Sequence, residues 1–164
     1  MKAPFYIISD NHFMMDNNPD EKGRREKLFA IFDKIKRNKK GTLIIGGDFF
    51  DFWFETDYVI PNGYKDLIDE LAALKNSGID IHYIAGNHDY WDFGYLSKEA
   101  KIIFHKGDLK FDFNNQKILI THGDGLLKND YGYRFMKKII RSSIFIKLFK
   151  LVPPRISFRF ANKL

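Results

Sequence analysis

The sequence contains no cysteine among its 164 residues. This absence excludes disulfide bonds, thiol nucleophiles and thiolate metal sites. A bound metal would have to be held by carboxylate, amide, imidazole, backbone or water ligands. Such ligands favour Mn, Mg, Fe, Zn or Ca over copper-type thiolate chemistry.

The sequence also lacks a long hydrophobic run and a recognisable signal peptide. No run reaches the roughly 20 apolar residues that a membrane-spanning helix needs. The start, Met1-Lys2-Ala3-Pro4, leads into a short apolar run with no small-residue cleavage site. We therefore expect a cytoplasmic protein, and the length suggests one domain with a substantial core.

Acidic residues are missing from the last part of the chain. Residues 131–164 contain nine Lys or Arg and no Asp or Glu, whereas residues 1–130 hold 18 basic and 21 acidic side chains, a net charge of −3. An acidic body with a basic tail suggests an anionic surface as partner.

Apolar runs and helical spacings alternate through the first half of the chain. They predict strands over 5–9, 42–45 and 79–85, and helices over 21–38 and 64–74. Strands separated by helical crossovers imply an α/β fold with a parallel sheet.

The pattern changes in the second half. Strands over 109–113 and 117–121 flank Asn114-Asn115, a favourable hairpin turn. Residues 130–151 are predicted to form one helix, which Pro153-Pro154 ends. A further helical stretch is predicted from Arg155 onward.

Four polar segments each follow a predicted strand. They are Ser9-Asp10-Asn11-His12, Gly46-Gly47-Asp48-Phe49-Phe50-Asp51, Gly86-Asn87-His88-Asp89 and His122-Gly123-Asp124. Each alone is typical of an ordinary turn. Because sites in open α/β sheets form at the carboxyl ends of strands, the four together predict a metal site.

The residue types suggest a role for each ligand. We expect Asp10 and His12, two apart on an extended backbone, to grip one ion. We expect Asp48 to bridge two ions with one oxygen on each, and Asn87 and His122 to add an amide oxygen and an imidazole nitrogen. Two divalent ions about 3.5–4 Å apart suit phosphoryl displacement.

The neighbouring residues suggest catalytic roles. We expect His88 to reach the substrate, where it would stabilise phosphoryl charge or protonate the leaving oxygen. Asp51 would hydrogen-bond His88 and orient it. His82, inside a strand, and His105, in no motif, are assigned no role.

At these residues the chain resembles the calcineurin-like metallophosphoesterase superfamily, a sandwich of mixed sheets flanked by helices. The stretch Gly47-Asp48-Phe49-Phe50-Asp51-Phe52-Trp53, with His122-Gly123-Asp124, is similar to UDP-2,3-diacylglucosamine diphosphatases. That resemblance implies cleavage of a pyrophosphate in a lipid A precursor, substrate contacts from Asp130 and Tyr133, and a helical lid. It predicts a core over 1–129 and the start of a lid over 130–164.

Two features depart from the family pattern. His88 stands where well-known diphosphatases carry Arg, which leaves open a phosphomonoesterase or phosphodiesterase with another substrate. The sequence has no Gly-His-x-His, the motif that ends the superfamily's site, and no histidine after His122. We expect weaker metal binding, one ion or none, and an intact gene product that continues past Leu164. A non-catalytic scaffold is the third alternative.

The basic tail has two interpretations. It is either a solvated helix with one core-facing side or a basic amphipathic surface that binds an anionic membrane or acyl chains. Its dense apolar residues favour the second, and they argue against nucleic acid because no exposed aromatic platform is formed. The expected partners are a nucleotide-activated glycolipid and the inner membrane surface. The expected cofactors are two divalent ions, with Mn favoured and Zn, Fe or Mg as alternatives.

Overall fold

The structure, a computed structural model, describes residues 1–16, 18–55 and 62–152. The described residues fall into two compact units, one up to His122 and one from Gly123 onward. The break predicted at Pro153-Pro154 and the helix predicted from Arg155 lie outside the described residues.

The first unit is built on a parallel sheet of four strands that lie side by side in the order of the sequence. The strands are β1 (Phe5–Ile8), β2 (Gly41–Ile45), β3 (Ile79–Ile84) and β4 (Ile103–His105). Every residue of β2 is buried, as expected for a central parallel strand. The predicted α/β fold is confirmed, and the three-residue β4 is an addition that the sequence pattern missed.

Helices connect the strands. They are α1 (Pro19–Lys36), a 3₁₀ turn (Asn62–Tyr64), α2 (Lys65–Asn76) and α3 (Tyr95–Glu99). Helix α1 begins where Asn18 accepts a 2.9 Å hydrogen bond from the Glu21 nitrogen and Pro19 occupies the first turn. Its Leu28, Phe32 and Ile35 are buried, whereas Ile31 is 47% exposed. Among the described residues, no helix is long and apolar enough to cross a membrane.

A hairpin covers part of the sheet. Strands β5 (Leu109–Phe113) and β6 (Gln116–Ile120) pair antiparallel around Asn114 and Asn115. Both turn residues have positive φ, 50° and 61°, as a tight two-residue hairpin turn requires, so the predicted turn is confirmed. Leu109 packs with Ile44 and Ile84 of the parallel sheet.

His82 of β3 and His105 of β4 form a pair that the sequence did not reveal. Their rings lie 9° from parallel with centroids 5.2 Å apart, and His82 Nδ1 is 2.9 Å from His105 Nε2. Burial lowers the pKa of both imidazoles, and the charge of His105 lowers that of His82 further. The pair therefore favours neutral rings that share one hydrogen bond.

The second unit contains two helices, where the sequence predicted one over 130–151. Helix α4 (Tyr131–Ile140) ends before Arg141, and α5 (Ser143–Lys150) begins after Ser142. Ser142 has an extended backbone (ψ 146°), and its hydroxyl accepts a 3.2 Å hydrogen bond from the Phe145 nitrogen. The continuous helix is thus wrong, because Ser142 caps a new helix instead of extending the old one.

Candidate metal centre

The polar segments meet because the loops after β1 and β2 continue the pairing of the strands. Beyond the strand ends, the Asp10 nitrogen donates to the Gly47 carbonyl (3.1 Å), and the His12 nitrogen donates to the Asp48 carbonyl (2.9 Å). On the next loop, the Trp53 nitrogen donates to the His88 carbonyl (2.9 Å). The loops that follow β1, β2 and β3 are therefore held side by side.

Asp48 lies at the centre of this arrangement. Its Oδ1 accepts a 2.9 Å hydrogen bond from the His88 main-chain nitrogen, while Oδ2 is 3.3 Å from His122 Nε2 and 3.6 Å from His12 Nε2. Burial opposes its ionisation, but the contacts with the His122 imidazole and with the His88 main-chain nitrogen outweigh burial and lower the pKa of Asp48. The expected use of one oxygen per ion stays a prediction; Oδ1 accepts the hydrogen bond from His88, and Oδ2 is the oxygen that faces both imidazoles.

The surroundings of His122 fit a cation. Its Nδ1 is 3.0 Å from the Gly46 carbonyl, which can only accept, so Nδ1 carries the hydrogen. In the neutral ring, Nε2 then presents a lone pair toward Asp48 Oδ2 and toward Asn87 Oδ1, 3.2 Å away. Three electron-rich atoms that face one another need a positive charge among them, which a divalent metal supplies.

Two groups of side chains have ligand atoms close enough to hold an ion. Asp10, Asp48 and His122 form one group, and His12, Asp51 and His88 form the other, with all ligand atoms of a group within 4.8 Å. Asp10 and His12 therefore lie in different groups, and their expected shared ion stays a prediction.

The cause of this separation is the backbone. Asp10 (φ 51°), His12 (φ 46°) and Asp48 (φ 50°) all adopt the left-handed conformation. In this conformation, side chains two apart no longer point the same way, as they do along an extended strand. Non-glycine residues in this region are uncommon and cluster at functional sites.

His88 and Asp51 are in contact, but not through the expected atoms. His88 Nδ1 lies 2.6 Å from the main-chain carbonyl of Asp51, so Nδ1 donates and Nε2 remains for other chemistry. The Asp51 carboxylate instead lies 3.7 Å from His12 Nδ1. The His12 and His88 rings meet edge to face at 4.7 Å.

Two glycines provide space for the ligands. A Cβ on Gly47, whose φ is +102°, would lie 2.6 Å from His122 Nδ1. A Cβ on Gly86 would lie 2.6 Å from the Asp48 nitrogen and closer still to its carboxylate. We expected the glycine backbone to approach a bound ligand closely. It instead approaches the side chains of His122 and Asp48, the candidate metal ligands.

Asp89 joins the loops after β2 and β3 through hydrogen bonds, a role that the sequence pattern did not predict. It is fully buried, and it accepts hydrogen bonds from the Gly86 and Phe49 nitrogens (2.8 Å each) and from the Tyr83 hydroxyl. Burial raises the pKa of Asp89 to about 6, although the Tyr83 hydrogen bond opposes this rise. The signal was present, since Asp89 directly follows Asn87-His88.

The predicted substrate residues belong to the second unit. Asp130 immediately precedes α4, and its carbonyl accepts from the Arg134 nitrogen at 3.1 Å. The Tyr133 hydroxyl donates to Asp124 Oδ2 at 2.7 Å. Burial opposes ionisation of Asp124, but hydrogen bonds from Lys137 and Tyr133 lower its pKa, so the carboxylate is charged at neutral pH.

The chain is similar to several known proteins. The chain is 30% identical over 156 residues to a UDP-2,3-diacylglucosamine hydrolase of Porphyromonas gingivalis, covering 94% of this chain and 59% of that protein. It is 34% identical over 122 residues to a protein of the same name from Proteus mirabilis, covering 74% and 50%. A solved protein of unknown function from Aquifex aeolicus aligns at 18% identity and a TM-score of 0.45, covering 83% of this chain and 70% of its own.

The chain spans between one half and three fifths of the length of these two curated relatives. Residues 3–155 also fit the family model of the calcineurin-like phosphoesterases. This match confirms the resemblance seen in the four polar segments. The chain belongs to the calcineurin-like phosphoesterase family.

Proposed function

We propose that the chain forms the metal-binding core of a two-metal hydrolase that cleaves the pyrophosphate of a UDP-2,3-diacylglucosamine-type lipid A precursor. The observation that carries this proposal is the convergence of His12 and His122 on one oxygen of Asp48, at 3.6 and 3.3 Å. The substrate class is that of the two relatives, both UDP-2,3-diacylglucosamine hydrolases.

We assign one ion to Asp10, Asp48, Asn87 and His122, and a second to His12 and Asp48, with Asp51 and His88 beside it. Oxygen-rich ligation with imidazole favours Mn, and Zn, Fe or Mg are the alternatives. When bound, such ions would polarise the phosphoryl oxygens and lower the pKa of a water to give the nucleophile.

Hydrolysis forms a bond from a water oxygen to phosphorus and breaks the bond from phosphorus to the bridging oxygen. The departing phosphate oxygen gains a hydrogen bond or a proton, which we assign to Nε2 of a His88 ring that carries a hydrogen on both nitrogens in this step. The hydrogen bond from Nδ1 to the Asp51 carbonyl supports this role, because it holds the ring orientation and leaves Nε2 as the reacting nitrogen.

We assign recognition of the glycolipid to the second unit, with Asp130 and Tyr133 as substrate contacts. Large apolar side chains on α4 and α5 support an acyl-binding role, since Phe135, Ile144 and Leu148 are 68%, 71% and 61% exposed. Solvated apolar side chains in such numbers are unusual for helices that do not bind a partner.

We also propose that these helices bind an anionic membrane surface, at the cytoplasmic face of the inner membrane. Lys147 and Lys150 lie on α5 among its apolar side chains. Long basic side chains can extend to lipid phosphates while apolar neighbours enter the bilayer boundary.

Hydrolysis of the UDP-glycolipid by the Mn²⁺-loaded chain tests the proposed function. We expect release of the nucleoside monophosphate, and a loss of more than about a hundredfold in Asp48→Asn, because the residue joins both groups. Asp108→Asn removes the same charge at an exposed position and should leave the rate unchanged. Equal rates in Asp48→Asn and the unsubstituted chain would contradict the proposal.

A second candidate is a phosphomonoesterase or phosphodiesterase with a smaller substrate, which His88 favours over the Arg of well-known diphosphatases. Turnover of an aryl phosphodiester and of the UDP-glycolipid by the same preparation separates the candidates. Preference for the glycolipid supports the first, and preference for the aryl ester supports the second. Hydrolysis of neither would indicate the scaffold alternative.

A further inference from the structure

Asp124 joins the loop after the metal ligand His122 to helix α4. One oxygen, Oδ2, accepts from the Tyr133 hydroxyl (2.7 Å) and from Lys137 Nζ (2.7 Å), and lies 3.5 Å from an Arg141 nitrogen. The Asp124 side chain is 13% exposed, so these contacts are only partly screened by water. Asp124 is an acidic residue of the four polar segments described above to which the proposed function assigns no role.

The three donors share one side of α4. They are spaced four residues apart, and residues at this spacing lie one above the other on a helix. Arg134, the next residue after Tyr133, adds hydrogen bonds to the carbonyls of Leu127 (2.7 Å) and Lys128 (3.2 Å). The loop over 123–130 is therefore hydrogen-bonded to α4 at Asp124, Leu127 and Lys128.

The opposite side of α4 is apolar and exposed. Tyr131, Phe135 and Ile139 also repeat every four residues, and they are 68%, 68% and 45% exposed. At about 100° per residue, this stripe lies roughly 180° around the helix from the stripe that contacts Asp124. Any rotation of α4 that moved one stripe would move the other.

We propose that Asp124 is a positioning residue of the glycolipid site, which fixes the rotation of α4 and so the direction in which Tyr133 and the apolar stripe face. This inference rests on the proposed function. A carboxylate is required because Lys137 and Arg141 both bring positive charge to the same oxygen. An amide would leave both cations without a counter-charge.

The test compares Asp124→Asn, Asp124→Glu and the control Asp108→Asn in the metal-free full chain. Hydrogen exchange at the amides of 131–141 reports the order of α4. The dissociation constant for the UDP-glycolipid reports whether that order of α4 matters for substrate binding. In Asp124→Asn we expect exchange about tenfold faster and binding about tenfold weaker, with partial recovery in Asp124→Glu and no change in Asp108→Asn.

Each outcome decides one step. Unchanged exchange over 131–141 in Asp124→Asn would overturn the positioning role. Faster exchange with unchanged glycolipid affinity would overturn its connection to the substrate. Faster exchange that extends into β2 and β3 would show a general loss of stability and overturn the specific role. If the unsubstituted chain binds no glycolipid, the proposed function fails, and exchange alone decides whether Asp124 orients α4.

Discussion

The main-chain nitrogen of His88 donates a 2.9 Å hydrogen bond to Oδ1 of Asp48. This bond joins the loop after β3 to the loop after β2, and it leaves Oδ2 as the oxygen that faces His12 and His122. The backbone amide of His88 thus fixes the orientation of the Asp48 carboxylate toward the two imidazoles.

Gly86→Ala should disrupt this centre. The added Cβ would lie 2.6 Å from the Asp48 nitrogen, closer than real contacts allow, so the Asp48 loop must move. We expect at least a tenfold loss of Mn²⁺ affinity, measured by calorimetry. Gly107→Ala is the matched control, because its Cβ would meet nothing within 4 Å. Equal affinities in the two variants would contradict this explanation of Gly86.

Asp89→Asn should destabilise the first unit. Its carboxylate accepts hydrogen bonds from Gly86, Phe49 and Tyr83 in a fully buried position. In Asp89→Asn, the side-chain NH₂ group replaces one carboxylate oxygen and faces an N–H or O–H donor instead of accepting from it. We expect a loss of about 2–4 kcal/mol in the free energy of unfolding, measured in urea, against about 1 kcal/mol for Tyr83→Phe. A smaller loss in Asp89→Asn than in Tyr83→Phe would refute the ranking.

The His82–His105 pair predicts that stability falls in mild acid. The folded pKa of both rings is lowered, so the folded state binds fewer protons than the unfolded state. Their contribution is complete above the unfolded pKa of about 6.5 and is lost as pH falls through the folded pKa. Urea unfolding between about pH 7.5 and pH 5.5 should show this decrease.

The variant His105→Gln isolates the pair from the other titrating groups. It removes one lowered pKa and the charge of His105 that acts on His82, while Asp80, Lys75 and the Met1 amino group remain near His82. The free energy of unfolding should therefore fall less steeply with acid than in the unsubstituted chain. Identical slopes would show that the pair does not contribute.

Membrane binding should depend on the lysines of α5. Lys147→Gln with Lys150→Gln should weaken binding to anionic vesicles by about 2 kcal/mol, or roughly thirtyfold, at low salt. The control Lys110→Gln with Lys117→Gln removes the same charge from the hairpin, where both lysines are exposed. Equal weakening in both double variants would indicate a general charge effect instead of a specific surface.

The sequence predicted the parts of the fold that depend on local pattern. The three longer parallel strands, both long helices and the Asn114-Asn115 turn follow from hydrophobic period and turn chemistry. The short α3 and β4 have too few residues to show a period. The residues around Ser142 favour one continuous helix. The helix breaks at Ser142 because its hydroxyl accepts a hydrogen bond from the Phe145 nitrogen and caps α5.

The candidate site was predicted in its residue types but not in its pairing. Asp10 and His12 were expected together, and their positive φ values separate them. The Asp51 contact to His88 uses a main-chain carbonyl, which no side-chain pattern can reveal. The His82–His105 contact depends on the register between β3 and β4, which is a property of the folded sheet.

The most direct test of the two-metal centre is a calorimetric Mn²⁺ titration of the unsubstituted chain, Asp48→Asn and Asp108→Asn. We expect the unsubstituted chain and Asp108→Asn to bind Mn²⁺ alike. Asp48→Asn should bind more than about tenfold more weakly, because loss of even an outer partner of a metal ligand typically costs 10–100-fold. Equal binding by Asp48→Asn and the unsubstituted chain would contradict a cation centre built on Asp48.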